Sequence, residues 1–95
     1  MSSTDVGLHH DIVERCKTDD ANAQYQLYQL YSKAMFNICL RITNDREEAE
    51  DILQEAFVSV FKNINSYRKE ATVGAWIKRI VINGAINHMK KYIQN

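Results

Sequence analysis

The sequence predicts an all-α fold, a compact bundle of four helices (a short N-terminal helix plus three longer ones). Three observations carry that reading. Proline is absent and glycine occurs only three times in 95 residues, whereas an all-β domain needs a turn signal about every 8–12 residues. Hydrophobic residues make up 45% and charged residues 25%, enough to build a core and unlike disordered or collagen-like chains. Apolar residues also recur at three- and four-residue spacing along most of the chain. A chain this short holds one core, so a single domain is expected. Residues 1–22 are its N-terminal helix and linker, and residues 23–95 its main body.

Leu8, Ile12, Val13 and Cys16 recur at helical spacing and predict a first helix from about Val6 to Lys17. Thr18, Asp19 and Asp20 end it, and the acids can cap the next helix. There Leu27, Leu30, Tyr31, Ala34, Met35, Ile38 and Ile42 keep the rhythm over about six turns. Thr43, Asn44 and Asp45 break it. Asp45, with Glu48 three residues on, forms a capping-box pattern with Asp in place of Ser or Thr.

The third helix, from about Arg46 to Ile64, carries an unbroken apolar stripe of Ala49, Ile52, Leu53, Ala56, Phe57, Val60, Phe61 and Ile64. At ~100° per residue, Glu47, Asp51, Gln54, Glu55 and Val58 fall on the opposite face. Asn65 to Ala71 has no period and is expected to be a loop. Thr72 is the expected cap of the last helix, which runs from Val73 to about Ile93. Most of its positions are apolar, among them Trp76, Ile77, Ile80, Val81, Ile86 and Tyr92, which implies substantial burial. One stripe differs. Arg79, Asn83, Asn87 and Lys90 share a ~80° arc flanked by Lys78 and Lys91. Asparagine costs a few tenths of a kcal/mol in a helix, and a hydrogen-bonding face tolerant of phosphate is one reason to place two there.

Net charge is zero, with 12 bases and 12 acids, but the charges are sorted along the chain. Met1 to Asn44 is nearly balanced. From Asp45 to Glu55, the acids Asp45, Glu47, Glu48, Glu50, Asp51 and Glu55 face Arg46 alone, a net of minus five. After Glu55, the bases Lys62, Arg68, Lys69, Lys78, Arg79, Lys90 and Lys91 face Glu70 alone, a net of plus six. An acidic helix followed by a basic one suggests two different partners.

Cys16 and Cys39 form no C-x-x-C, and the N-terminus lacks the apolar run of a signal peptide. Buried thiols in a reducing cytoplasm are expected. No apolar stretch approaches the ~20 residues that span a bilayer, so no membrane insertion is expected. His9, His10, Cys16, Cys39 and His88 are zinc-type donors, but adjacent histidines face different directions on a helix. The acids show no E-x-x-H pairing. No enzyme activity, metal or cofactor is therefore expected.

Four segments in order carry a family resemblance: Leu27-Tyr28-x-x-Tyr31; Asn44-Asp45-Arg46-Glu47-Glu48-Ala49-Glu50-Asp51-Ile52-Leu53-Gln54-Glu55-Ala56-Phe57; Tyr67-Arg68; and Trp76-Ile77-x-Arg79-Ile80-x-x-Asn83. Together they resemble region 2 of a bacterial RNA polymerase sigma factor of the extracytoplasmic-function type, over roughly Ala23 to Lys91. The resemblance implies a non-catalytic subunit that binds core RNA polymerase and recognises and melts the promoter minus-ten element. It places docking to the coiled coil of the largest polymerase subunit on Asp51, Gln54 and Glu55, with Glu47 on the same face. It places DNA contacts on Tyr67, Arg68, Lys69, Lys78, Arg79, Asn83, Asn87, Lys90 and Lys91, mainly toward the non-template strand. An anti-sigma factor is an expected further partner.

Two departures stand out. Many relatives have glycine after the arginine and an aromatic after the helix cap, where this chain has Lys69 and Val73. The family's minus-thirty-five-reading helix-turn-helix does not follow before Asn95, so an excised domain or an incomplete chain is expected. Promoter melting also needs help. Each base-pair step holds roughly 1.4 kcal/mol of stacking, while a base captured on an aromatic returns ~1–3 kcal/mol. Polymerase must supply the difference. The alternative is a helical protein-interaction module with no DNA role, built on the acidic face and Val58. Independent helix-turn-helix repression fits less well, because the segment before the last helix is long and glycine-poor.

Overall fold

The computed structural model describes the backbone of residues 2–93 and the side chains of residues 9–90. Its elements are α1 (Ser2–Cys16), α2 (Ala21–Thr43), α3 (Arg46–Lys62), a 3-10 turn (Ile64–Ser66) and α4 (Val73–Ile93). The all-α, four-helix expectation holds. Two bounds differ from expectation: α1 starts earlier, at Ser2, and α3 ends at Lys62. Asn63 stops α3 because its Nδ2 turns back to the Ser59 carbonyl at 2.8 Å. Ile64 then reaches the core from the 3-10 turn instead of from the helix.

The ends of the helices follow from short polar side chains. Asp20 accepts from the amides of Asn22 and Ala23 and so starts α2. Asn44 closes α2 in the left-handed region at φ 54, its amide donating to the Leu40 carbonyl at 2.7 Å. Asp45 then accepts from the Glu48 amide at 3.1 Å, and Glu47 and Glu48 lie in the first turn, where negative charge favours the helix dipole. Thr72 Oγ1 accepts from the Ala75 amide at 3.1 Å and caps α4.

The core runs between all four helices. α2 packs most extensively on α3, and α4 lies against both. Ile12, Val13 and Cys16 enter from α1; Ala23, Leu27, Met35 and Cys39 from α2; Ala49, Ile52, Leu53, Ala56, Phe57 and Val60 from α3; and Val73, Ile77, Val81 and Ala85 from α4. Both cysteines are buried free thiols. Burial raises both, and Asp20 adds to the effect at Cys16.

Several apolar expectations are corrected. Leu30 is 47% exposed and Ile86 44% exposed, and Ala34 also faces out. Leu30 precedes Tyr31, at the centre of the inward face of α2, and is turned about 100° away from it. Ile86 stands one residue past the buried Ala85 and shares the outward side with Arg79 and Asn83. Trp76 is half-buried against the core and not inside it. Leu8 and Tyr92 lie outside the described side chains. No helix among the described residues is long and apolar enough to cross a membrane.

Candidate functional site

The inward stripe of α3 fixes what its other side presents. With Ile52, Leu53, Ala56 and Phe57 locked in the core, the residues opposite them must face solvent. Glu47, Asp51, Gln54, Glu55 and Val58 are all exposed, Val58 at 59%. The helix's first cation is held on its flank: Arg46 Nε lies 3.9 Å from Glu50, and its guanidinium sits 5.4 Å over the Phe36 ring. The outward face is therefore a carboxylate and amide surface with one apolar residue in it.

On α4, burial of Val73, Ile77, Val81 and Ala85 at four-residue spacing turns Lys78, Arg79, Asn83, Asn87 and Lys90 outward, and all five are exposed. Lys91 lies outside the described side chains. The two surfaces meet along a groove of about 390 Å³. Ile52, Glu55, Ala56 and Ser59 form one wall; Ile80, Asn83, Gly84, Asn87 and His88 form the other. Glu55 thus edges the acidic face while Asn83 and Asn87 edge the amide stripe. His88, in the second wall, has its Nε2 3.6 Å from Glu48 Oε1 of α3.

The loop between the 3-10 turn and α4 exposes Arg68 and Lys69. Lys69 adopts φ 64, in the left-handed region that glycine enters at little cost. The position where the family resemblance leads one to expect glycine is thus one whose backbone conformation favours it.

Tyr67 requires a correction. It was expected to offer its ring to a base, yet it is 4% exposed, packed 5.2 Å from the Trp76 ring, with its hydroxyl donating to the Ala71 carbonyl at 2.7 Å. Burial raises its phenol above the ordinary value, as it does for Tyr31. Its ring is part of the core, which leaves no free face for stacking. Both α1 histidines, read from sequence only as poor zinc donors, bond tyrosines: His9 Nδ1 to the Tyr31 hydroxyl, and His10 Nε2 to the Tyr67 hydroxyl at 2.8 Å. No spacing pattern marks these pairs, whose members lie 22 and 57 residues apart.

The chain matches the sigma-70 region 2 family over residues 27–92. It is 32% identical over 78 residues to the RNA polymerase sigma-H factor of Pseudomonas aeruginosa, covering 82% of this chain and 40% of that protein. It is 30% identical over 79 residues to the ECF RNA polymerase sigma factor SigW of Bacillus subtilis, covering 83% and 42%. Among solved structures, an engineered region 2 of sigmaE in complex with GTAAAA, determined by NMR, shares the fold with a TM-score of 0.81 at 24% identity, covering 87% of this chain and 86% of that one. The chain spans about two-fifths of the length of these curated relatives. The family match covers well over half of the chain and includes the acidic helix, the loop and nearly all of α4: the chain belongs to the sigma-70 region 2 family, with relatives of the extracytoplasmic-function type.

Proposed function

We propose that this chain docks on core RNA polymerase through the outward face of α3 and recognises and helps to melt the promoter minus-ten element through the following loop and α4. Glu47, Asp51, Gln54 and Glu55 present acceptors to cationic side chains on the coiled coil of the largest polymerase subunit. Arg68, Lys69, Lys78, Arg79, Lys90 and Lys91 supply phosphate contacts, and Asn83 and Asn87 supply amides that can pair with base edges, mainly of the non-template strand. Tyr67 has no direct part, being enclosed. The protein performs no chemistry of its own, needs no cofactor and works in the bacterial cytoplasm, where an anti-sigma factor is a further partner.

The observation that carries this reading is the segregation of two exposed faces on adjacent helices. One is acidic and the other amide-and-cation, and both are set by core residues that leave no freedom to swap them. A protein-interaction module accounts for the acidic face and Val58 but gives no reason for the Arg79, Asn83, Asn87, Lys90 stripe. The test is co-purification with core polymerase, followed by a gel shift of the complex on single-stranded minus-ten DNA. Reversing charge at both Asp51 and Glu55 should lower polymerase affinity roughly tenfold to a hundredfold per site while the domain stays folded. An interaction module would retain neither polymerase nor promoter strand.

A further inference from the structure

α1 holds the loop that carries Arg68 and Lys69, and it does so through Tyr67. His10 Nε2 lies 2.8 Å from the Tyr67 hydroxyl, and Lys17 Nζ donates to the Tyr67 carbonyl at 3.4 Å. The same hydroxyl donates to the Ala71 carbonyl at 2.7 Å. A phenol has one proton, and here Ala71 receives it. Toward His10 the Tyr67 oxygen can therefore only accept, so His10 must donate from Nε2, which in the neutral ring fixes the Nε2–H tautomer.

The result is a directional chain from α1 across the loop: His10 to Tyr67, and Tyr67 to Ala71, the residue before the α4 cap. The two cations between these anchors are exposed. Lys69 holds φ 64, a conformation that a lysine keeps only when its surroundings impose it. Tyr67 is pinned at its ring by Trp76, at its hydroxyl by His10 and Ala71, and at its carbonyl by Lys17. Two of these four anchors, His10 in α1 and Lys17 in the turn that follows it, precede the residues 27–92 matched to the family.

We infer that His10 is a positioning residue for the loop spanning 67–72: by donating to Tyr67 it fixes the backbone from which Arg68 and Lys69 are presented to promoter DNA. α1 thereby sets promoter affinity without touching DNA. This rests on the DNA-reading role proposed above for that loop.

The test compares His10→Ala, His10→Gln and Tyr67→Phe in the full chain, free and reconstituted with core polymerase. A glutamine amide can donate to the same phenol, so it is the conservative replacement. In the free chain, backbone order parameters at residues 68–71 should fall from about 0.85 to below about 0.6 in His10→Ala and Tyr67→Phe, and His10→Gln should restore them. In the reconstituted complex, promoter affinity should fall about tenfold in the first two variants and recover in the third, with core affinity unchanged throughout. Wild-type order parameters in both His10→Ala and Tyr67→Phe would overturn the inference, as would failure of glutamine to restore them or a parallel loss of core affinity. An Arg68→Ala, Lys69→Ala double variant separates the underlying reading. If that pair leaves promoter affinity intact while His10→Ala still loosens the loop, it is the DNA role of the loop that fails, and the presenting role of His10 falls with it.

Discussion

Tyr31 of α2 lies against the backbone of Gly74 in α4: a Cβ built on Gly74 would stand 3.1 Å from Tyr31 Cε1. That closeness seats the start of α4 on the middle of α2, beside the Tyr31 hydroxyl bonded to His9. Gly84, ten residues later in the same helix, has nothing within 4 Å of the corresponding point.

The two glycines should therefore respond differently to alanine. Gly84→Ala should raise stability by about 0.5–1 kcal/mol, the helix-propensity difference with no steric cost. Gly74→Ala should gain less or lose, because the Tyr31 ring must shift by a few tenths of an ångström. Thermal unfolding of the two variants measures this, and equal gains would show that Tyr31 does not constrain the approach.

Phe57 and Trp76 were both expected in the core, and the structure ranks them. Phe57 is 3% exposed, with the Tyr28 ring 4.9 Å away edge-on and Phe61 beyond. Phe57→Ala should cost ~3–5 kcal/mol, a large share of the stability of a small domain. Trp76→Ala should cost less, about 1–3 kcal/mol, because its side chain is only partly buried against the core. Urea denaturation that ranks Trp76 above Phe57 would contradict this packing.

The loop tests its own geometry at Lys69. Lys69→Gly removes the penalty of a left-handed lysine, worth ~1–2 kcal/mol, and gives part of it back as added freedom in the unfolded chain. A net gain of up to about 1 kcal/mol in folding stability is expected. If Lys69 also meets a phosphate, the slope of log promoter affinity against log salt should shrink by roughly 0.7 on single strands. A drop in melting temperature would show that residue 69 is not left-handed in solution.

The sequence was most legible where one rule acted alone. The cap residues Asp20, Asp45 and Thr72, and the α3 stripe from Ala49 to Val60, follow from local chemistry and a single period, and each appears as read. Leu30 and Ile86 were misplaced because hydrophobicity marks what can be buried, while the direction of each helix decides what is. Tyr67 was misplaced for a related reason. An aromatic beside Arg68 looks the same in sequence whether it waits for a base or fills the core, and partners such as Trp76 and the distant His10 decide which. The outward faces of α3 and α4 were visible because they are the complements of strong stripes. The groove between them was not, since it depends on how α3 and α4 sit against each other, with Ala56 and Gly84 both in its lining.

The central claim is that the α4 stripe reads the minus-ten element, and promoter binding by the polymerase complex tests it most directly. Asn83→Ala should relax preference at one promoter position by roughly 1–3 kcal/mol, since an amide can pair with a base edge, while Lys90→Ala should weaken all sequences alike and lower the salt slope. Both variants should bind core polymerase as the wild type does. If Asn83→Ala and Lys90→Ala both leave promoter affinity, sequence preference and opening unchanged in that complex, the stripe is a solvated helix face and the account of this domain as a promoter reader is contradicted.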